Sequence, residues 1–80
     1  MLVPVVDMKK TGQNIASLRM QKGISVRELQ RMLGFATPQA IYKWQRGETL
    51  PTVDNLIALA RVLDVSIEEI VAAECRDAEE

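Results

Sequence analysis

The chain has no histidine, one cysteine and one each of tryptophan, tyrosine and phenylalanine among 80 residues. Without histidine the commonest general base is missing, and Ser-His, Cys-His and histidine-metal chemistry are excluded. The expectation is a protein that is not an enzyme, with no catalytic residue and no cofactor. Cys75 has neither a second thiol with which to close a disulfide nor a histidine with which to share a metal. It reads as an incidental small residue. Long hydrophobic runs are also missing: nothing approaches the roughly 20 apolar residues of a membrane span. The opening MLVPVV is too short for a signal peptide and lacks its basic flank. A cytoplasmic protein with no membrane contact is expected.

A chain this short makes one domain and buries only about 60–65% of its extended surface. The apolar fraction of 48% suffices for one core. The net charge of −1 hides an asymmetry: residues 1–53 carry eight basic against three acidic side chains, residues 54–80 two against eight. A basic half attracts a polyanion even when the whole chain is slightly acidic. The acidic half suits a surface turned away from such a ligand, or a basic protein partner.

Start and stop signals divide the chain into five helices. Asp7 is placed to cap a helix of roughly Met8 to Lys22, with Met8, Gly12, Ile15, Ala16 and Leu18 on one stripe and Gly23 as its stop. Gly12 costs about 1 kcal/mol in a helix interior, which allows a later start near Thr11. Ser25 and Glu28 form a capping box opening a helix that ends at Gly34. Thr37 is expected to cap a third helix, Pro38 to Gln45, with proline at the first helical position and Gly47 closing it. Thr52 is expected to cap a fourth, burying Val53, Leu56, Ile57, Leu59, Ala60, Val62 and Leu63, and a second capping box at Ser66 and Glu69 opens a short fifth. The expected fold is all-α, with an N-terminal arm (1–7), a helical domain (8–73) and an acidic tail (74–80) that frays. The arm's LVPVV could add a strand or an apolar contact between subunits.

Within "TPQAIYKWQRG", Ile41 and Trp44 are three apart and face the core together. Gln39, Ala40, Tyr42 and Lys43 then point outward. Two short helices joined by a tight turn, with further helices completing the core, make a helix-turn-helix.

From Asn14 to Val71 the sequence resembles the Xre or Cro-type family of lambda repressor-like DNA-binding domains. The residues carrying the resemblance are "IASLRMQKGIS", "ELQRMLG", "AIYKWQRGETLPTVDNLIALARVLDVS" and "IEEIV". In that family the third helix lies in the major groove and the second crosses the backbone above it. The resemblance therefore implies a sequence-specific regulator of prokaryotic or phage transcription, most simply a repressor, whose partner is double-stranded DNA. Its base readers are Gln39 for adenine, Ala40 for a thymine methyl, Lys43 for guanine or phosphate, and Tyr42 for a methyl, sugar or phosphate. Thr37, Arg46, Thr49 and Arg27 are the expected backbone contacts. Arg19 is expected to serve structure, pairing with an acidic residue of a later helix.

Relatives dimerise near the last helix, which puts Ile67, Ile70 and Val71 forward as a homodimer interface, although the same residues could close the core. The chain departs from the family pattern at Val26, where glutamine is frequent, and at Gln30, where alanine is usual. The turn from Gly34 to Ile41 is also one residue longer than the commonest spacing, which makes room for Gln30 and changes the register of base contacts. Two alternatives share the fold: an antitoxin with a partner toxin on its acidic half, and an interaction module without DNA binding.

Overall fold

A computed structural model describes residues 1–78. The elements run β1 (Leu2–Val6), α1 (Met8–Gln21), α2 (Val26–Leu33), α3 (Gln39–Gln45), α4 (Val53–Leu63), α5 (Ile67–Ile70) and β2 (Ala73–Asp77). Asp7 caps α1, its Oδ1 accepting from the Lys10 amide at 2.9 Å. The helix starts at Met8 and passes through Gly12. A Cβ there would collide with the Trp44 carbonyl oxygen and lie 2.8 Å from that of Gln45. Glycine weakens the helix locally and in return lets α1 and α3 cross backbone to backbone.

Both capping boxes form. The Ser25 hydroxyl accepts from the Glu28 amide while the Ser25 amide donates to Glu28 Oε1, each at 3.0 Å, and Ser66 and Glu69 repeat the exchange. Gly34 ends α2 at φ 74°, a left-handed conformation that side chains resist. Two start signals differ from expectation. Pro38, not Thr37, is the N-cap of α3, and no side chain caps that helix. Thr52 does precede α4, but its hydroxyl donates to Asp54 Oδ1 at 2.5 Å and leaves the first-turn amides alone.

The core joins all five helices through Ile15, Leu29, Ile41, Trp44, Leu59, Leu63 and Ile70. Each such side chain contributes about 1.5–3 kcal/mol on leaving water. The fourth helix is less enclosed than its composition implies. Val53 is 73% and Ile57 52% exposed, so the expectation that both are buried is corrected. They lie four apart on the outer face of α4, while Leu59 and Leu63 occupy the inner one.

The all-α expectation is also corrected. Asn14 Nδ2 donates to the Ile70 carbonyl at 3.0 Å, the Ala72 amide donates to the buried Thr11 hydroxyl at 3.0 Å, and the Asp7 amide donates to the Ala72 carbonyl at 2.8 Å. These bonds lay the chain leaving α5 beside the chain entering α1. From there β2 runs antiparallel to β1, pairing Val6 with Ala73, Pro4 with Cys75 and Leu2 with Asp77. The tail expected to fray is thus a strand through Asp77, and the arm is its partner within the same chain. Residues 79 and 80 of that tail lie outside the described residues. The strand is exposed along its whole length; a backbone ladder orders it, not burial.

Candidate nucleic-acid interface

Four features hold α3 in place. Ile41 is fully buried and Trp44 nearly so. The Phe35 ring meets the Trp44 indole edge to face, with centroids 5.7 Å apart and planes at 69°. Gln30 Nε2 donates to the Phe35 carbonyl at 3.2 Å, so the glutamine at this position braces the turn between α2 and α3. Arg19 Nε donates to Gln45 Oε1 at 3.1 Å and its Nη1 to the Ile24 carbonyl at 2.8 Å. Arg19 is structural, and its partners are an amide and a carbonyl instead of the acidic residue expected.

With one face of α3 fixed, the other is set. Gln39, Tyr42, Lys43 and Arg46 are all exposed, and their spacings of three and four place them on a single stripe. Arg46, read from the sequence as a flanking residue, is the C-cap of α3 and continues that stripe. Its Nε is paired with the Glu48 carboxylate. Both partners are more than half exposed, so the pair is weak and a phosphate oxygen can replace the carboxylate at little cost. Ala40 is half-buried and packs against the core cluster, which leaves only part of its methyl at the surface. Thr37 and Thr49 are exposed beside the two ends of α3, and Arg27 is exposed on α2.

The remaining expected site residues lie elsewhere. Ile70 has no exposed surface and is part of the core of its own chain, where it closes the fold. Ile67 and Val71 on either side of it are half-buried.

Two carboxylates near the helix starts are shifted. The Ser25 amide, then its hydroxyl, hold Glu28 below the ordinary glutamate range, and the Thr52 hydroxyl does the same for Asp54. Both groups stay ionised and sit in first turns, where the helix dipole favours negative charge. Among the described residues no three cysteine or acidic side chains gather into a metal-binding set, and no helix is long and apolar enough to cross a membrane.

Sequence reasoning missed the positioning roles of Gln30, Phe35 and Gln45. Gln45 is in the same helical period as Ile41, a signal that was present. The Gln30 and Phe35 roles depend on the path of the turn, which no periodicity describes.

A helix-turn-helix family model matches residues 15–70. A protein of Sinorhizobium fredii (strain NBRC 101917 / NGR234), named as the uncharacterized HTH-type transcriptional regulator y4dJ, is 40% identical over 67 residues, covering 82% of this chain and 86% of the relative. Among solved structures, the restriction-modification controller protein C.AhdI from Aeromonas hydrophila superposes with a TM-score of 0.72 at 30% identity, over 80% of this chain and 96% of that one. The DNA-binding domain of BldD gives a TM-score of 0.69 at 23% identity, over 81% of this chain and 93% of that one, a likeness of fold. The match over most of the helical body, together with the exposed stripe on α3, places this chain in the helix-turn-helix family of the Xre, lambda repressor-like type.

Proposed function

We propose that the chain represses transcription by laying α3 in the major groove of double-stranded DNA as a homodimer. The family match and the likeness to named regulators support DNA-binding transcription regulation. The single observation that carries the finer reading is the stripe of Gln39, Tyr42, Lys43 and Arg46, exposed on a helix whose opposite face is fully engaged.

The division of labour follows from chemistry. Gln39, near the start of α3, pairs bidentately with adenine N6 and N7, and Lys43 donates to guanine O6 and N7. Tyr42 offers a ring face to a thymine methyl or sugar and a hydroxyl to phosphate, and the half-exposed Ala40 meets a methyl at the margin. Arg46, Thr37, Thr49 and Arg27 take phosphate oxygens, which position the helix without reading sequence. The acidic α5 end is turned from the duplex, since carboxylates near phosphate oppose binding. One domain of this size covers about 600–1,000 Å² on DNA. A dimer doubles that and spaces the half-sites about 34 Å apart.

Selection from a randomised duplex library of roughly three helical turns tests this reading. A motif with two-fold symmetry is expected, with affinity falling as salt rises at a log–log slope of about −0.9 per phosphate neutralised. Binding without any motif at every salt concentration would leave the groove-reading role without support.

A further inference from the structure

The paired strands β1 and β2 stand apart from the helical core, and their two outer edges are unlike. In the antiparallel register, the Asp7 amide bonds the Ala72 carbonyl and the Ala78 amide bonds the Met1 carbonyl. Residues 1, 3, 5 and 7 of the first strand therefore direct their backbone groups inward, and residues 2, 4 and 6 direct theirs outward. Position 4 is proline. It costs the internal ladder nothing and removes a donor from the middle of the outer edge of β1, a common way to close an edge to further strands. On β2 the outward groups belong to Ala73, Cys75 and Asp77. All three residues are exposed, and each has both an amide and a carbonyl to offer.

We propose that the outer edge of β2 pairs antiparallel with the same edge of a second copy of this chain, on a two-fold axis at Cys75, making a four-stranded sheet in the order β1-β2-β2-β1. The inference deepens the homodimer of the proposed function and rests on it. Three observations select this occupant. First, only on β2 does every outward residue keep its amide donor. Second, the sequence around the axis is self-complementary. With Cys75 facing Cys75 of the second copy, Glu74 of each chain faces Arg76 of the other, in the closer, non-hydrogen-bonded type of pair. Within one chain these two side chains make only a loose, exposed ion pair at 3.7 Å, so both are free to re-pair across the axis. Third, a two-stranded ribbon is marginal alone, and joining two ribbons gives the four strands that an independent sheet needs. The outward face of the joined sheet would unite Leu2, Pro4, Val6, Ala73 and Cys75 of both chains, with Asp77 of each at its margin; in the single chain Leu2 is 69% and Val6 41% exposed.

Because β2 follows α5 after two residues, the contact is continuous with the half-buried Ile67 and Val71. The earlier expectation of an arm between subunits is thereby altered. The N-terminal segment stays on its own chain, and its strand partner makes the contact.

Sedimentation equilibrium of the full chain, with helical circular dichroism as a check on folding, tests the proposal. Cys75→Pro removes an outward donor and leaves the ladder to β1 intact, so the variant is expected to stay helical and dissociate at least about tenfold more readily. Glu74→Arg sets arginine against arginine across the axis and is expected to weaken the dimer by about tenfold; the double variant Glu74→Arg with Arg76→Glu restores it. A short bifunctional thiol reagent should join two wild-type chains through Cys75 and fail with Glu74→Arg. A dimer indifferent to the charge variants but lost on Ile67→Asp would overturn the β2 contact and leave α5 as the interface. A wild-type chain that is monomeric throughout would overturn it as well. Salt-dependent DNA binding by that monomer would show that groove reading survives the loss of the dimer.

Discussion

Gly12 of α1 lies directly beneath the carbonyl oxygen of Trp44 in α3, so close that no other residue fits without moving one of the two helices. The helix that anchors the fold and the helix proposed to read DNA meet at this point, and their separation is set by the missing side chain. In Gly12→Ala, the gain of about 1 kcal/mol in helix propensity competes with overpacking, which costs about 1–3 kcal/mol and more when the obstacle is backbone. A net loss of stability is expected in urea denaturation. A stabilised variant would mean that the crossing is looser than described.

Arg19 links α1 to the last residue of α3 through Gln45 and to the turn before α2 through Ile24. Removing it in Arg19→Met leaves two partly buried acceptors unpaired and is expected to cost about 1–3 kcal/mol. Arg19→Lys should recover only part of this, because an ammonium cannot reproduce the fork that meets both acceptors at once. Thermal unfolding of the two variants measures the difference.

Phe35 and Trp44 form an edge-to-face pair, and Trp44 is the chain's one tryptophan, so its fluorescence reports on the anchor of α3. Phe35→Leu keeps apolar volume but loses the aromatic contact, with an expected cost of about 0.5–1.5 kcal/mol. Emission should shift toward that of a more mobile indole. Unchanged emission would place the anchoring elsewhere.

Glu28 supplies the pH dependence. Its carboxyl is held below the ordinary range by the Ser25 amide, so its charged form is favoured more in the folded chain than in the unfolded one. The corresponding stability is fully present above the ordinary glutamate range and is lost as pH falls through the lowered folded value. Wild type should therefore exceed Glu28→Gln in melting temperature at neutral pH, and the gap should close in acid. A gap that widened in acid would reverse the sign of the shift.

Much of the helical body is legible in the sequence because its signals are local. The boxes at Ser25 and Ser66, the cap at Asp7, the stop at Gly34 and the inward pair Ile41 and Trp44 are each set by residues within one or two turns. What escapes such a reading depends on distant partners. Gly12 looks like a weakness in a helix until Trp44 is placed above it. Val53 and Ile57 share an apolar helix with Leu59 and Leu63, and only the positions of α2 and α5 decide which side is covered. The strand Ala73–Asp77 has no apolar alternation to announce it; hydrogen bonds that Thr11 accepts and that Asn14 and Asp7 donate, all with residues more than 50 positions away, bring it to β1. Among the site residues, the outward direction of Gln39, Tyr42 and Lys43 follows from the period of α3, while the half-buried Ala40 reflects packing that the period does not resolve.

The central claim is that α3 reads bases, and Gln39 is its sharpest test. With a selected operator in hand, wild type and Gln39→Ala are titrated against the operator and against single-base changes through each half-site, at fixed salt. If Gln39 reads a base, one position per half-site loses its discrimination in the variant, by about 1–3 kcal/mol, while preferences elsewhere and the salt slope stay as they were. If the variant binds every duplex equally more weakly, or with the same preferences as wild type, Gln39 reads no base and the register assigned to α3 is wrong.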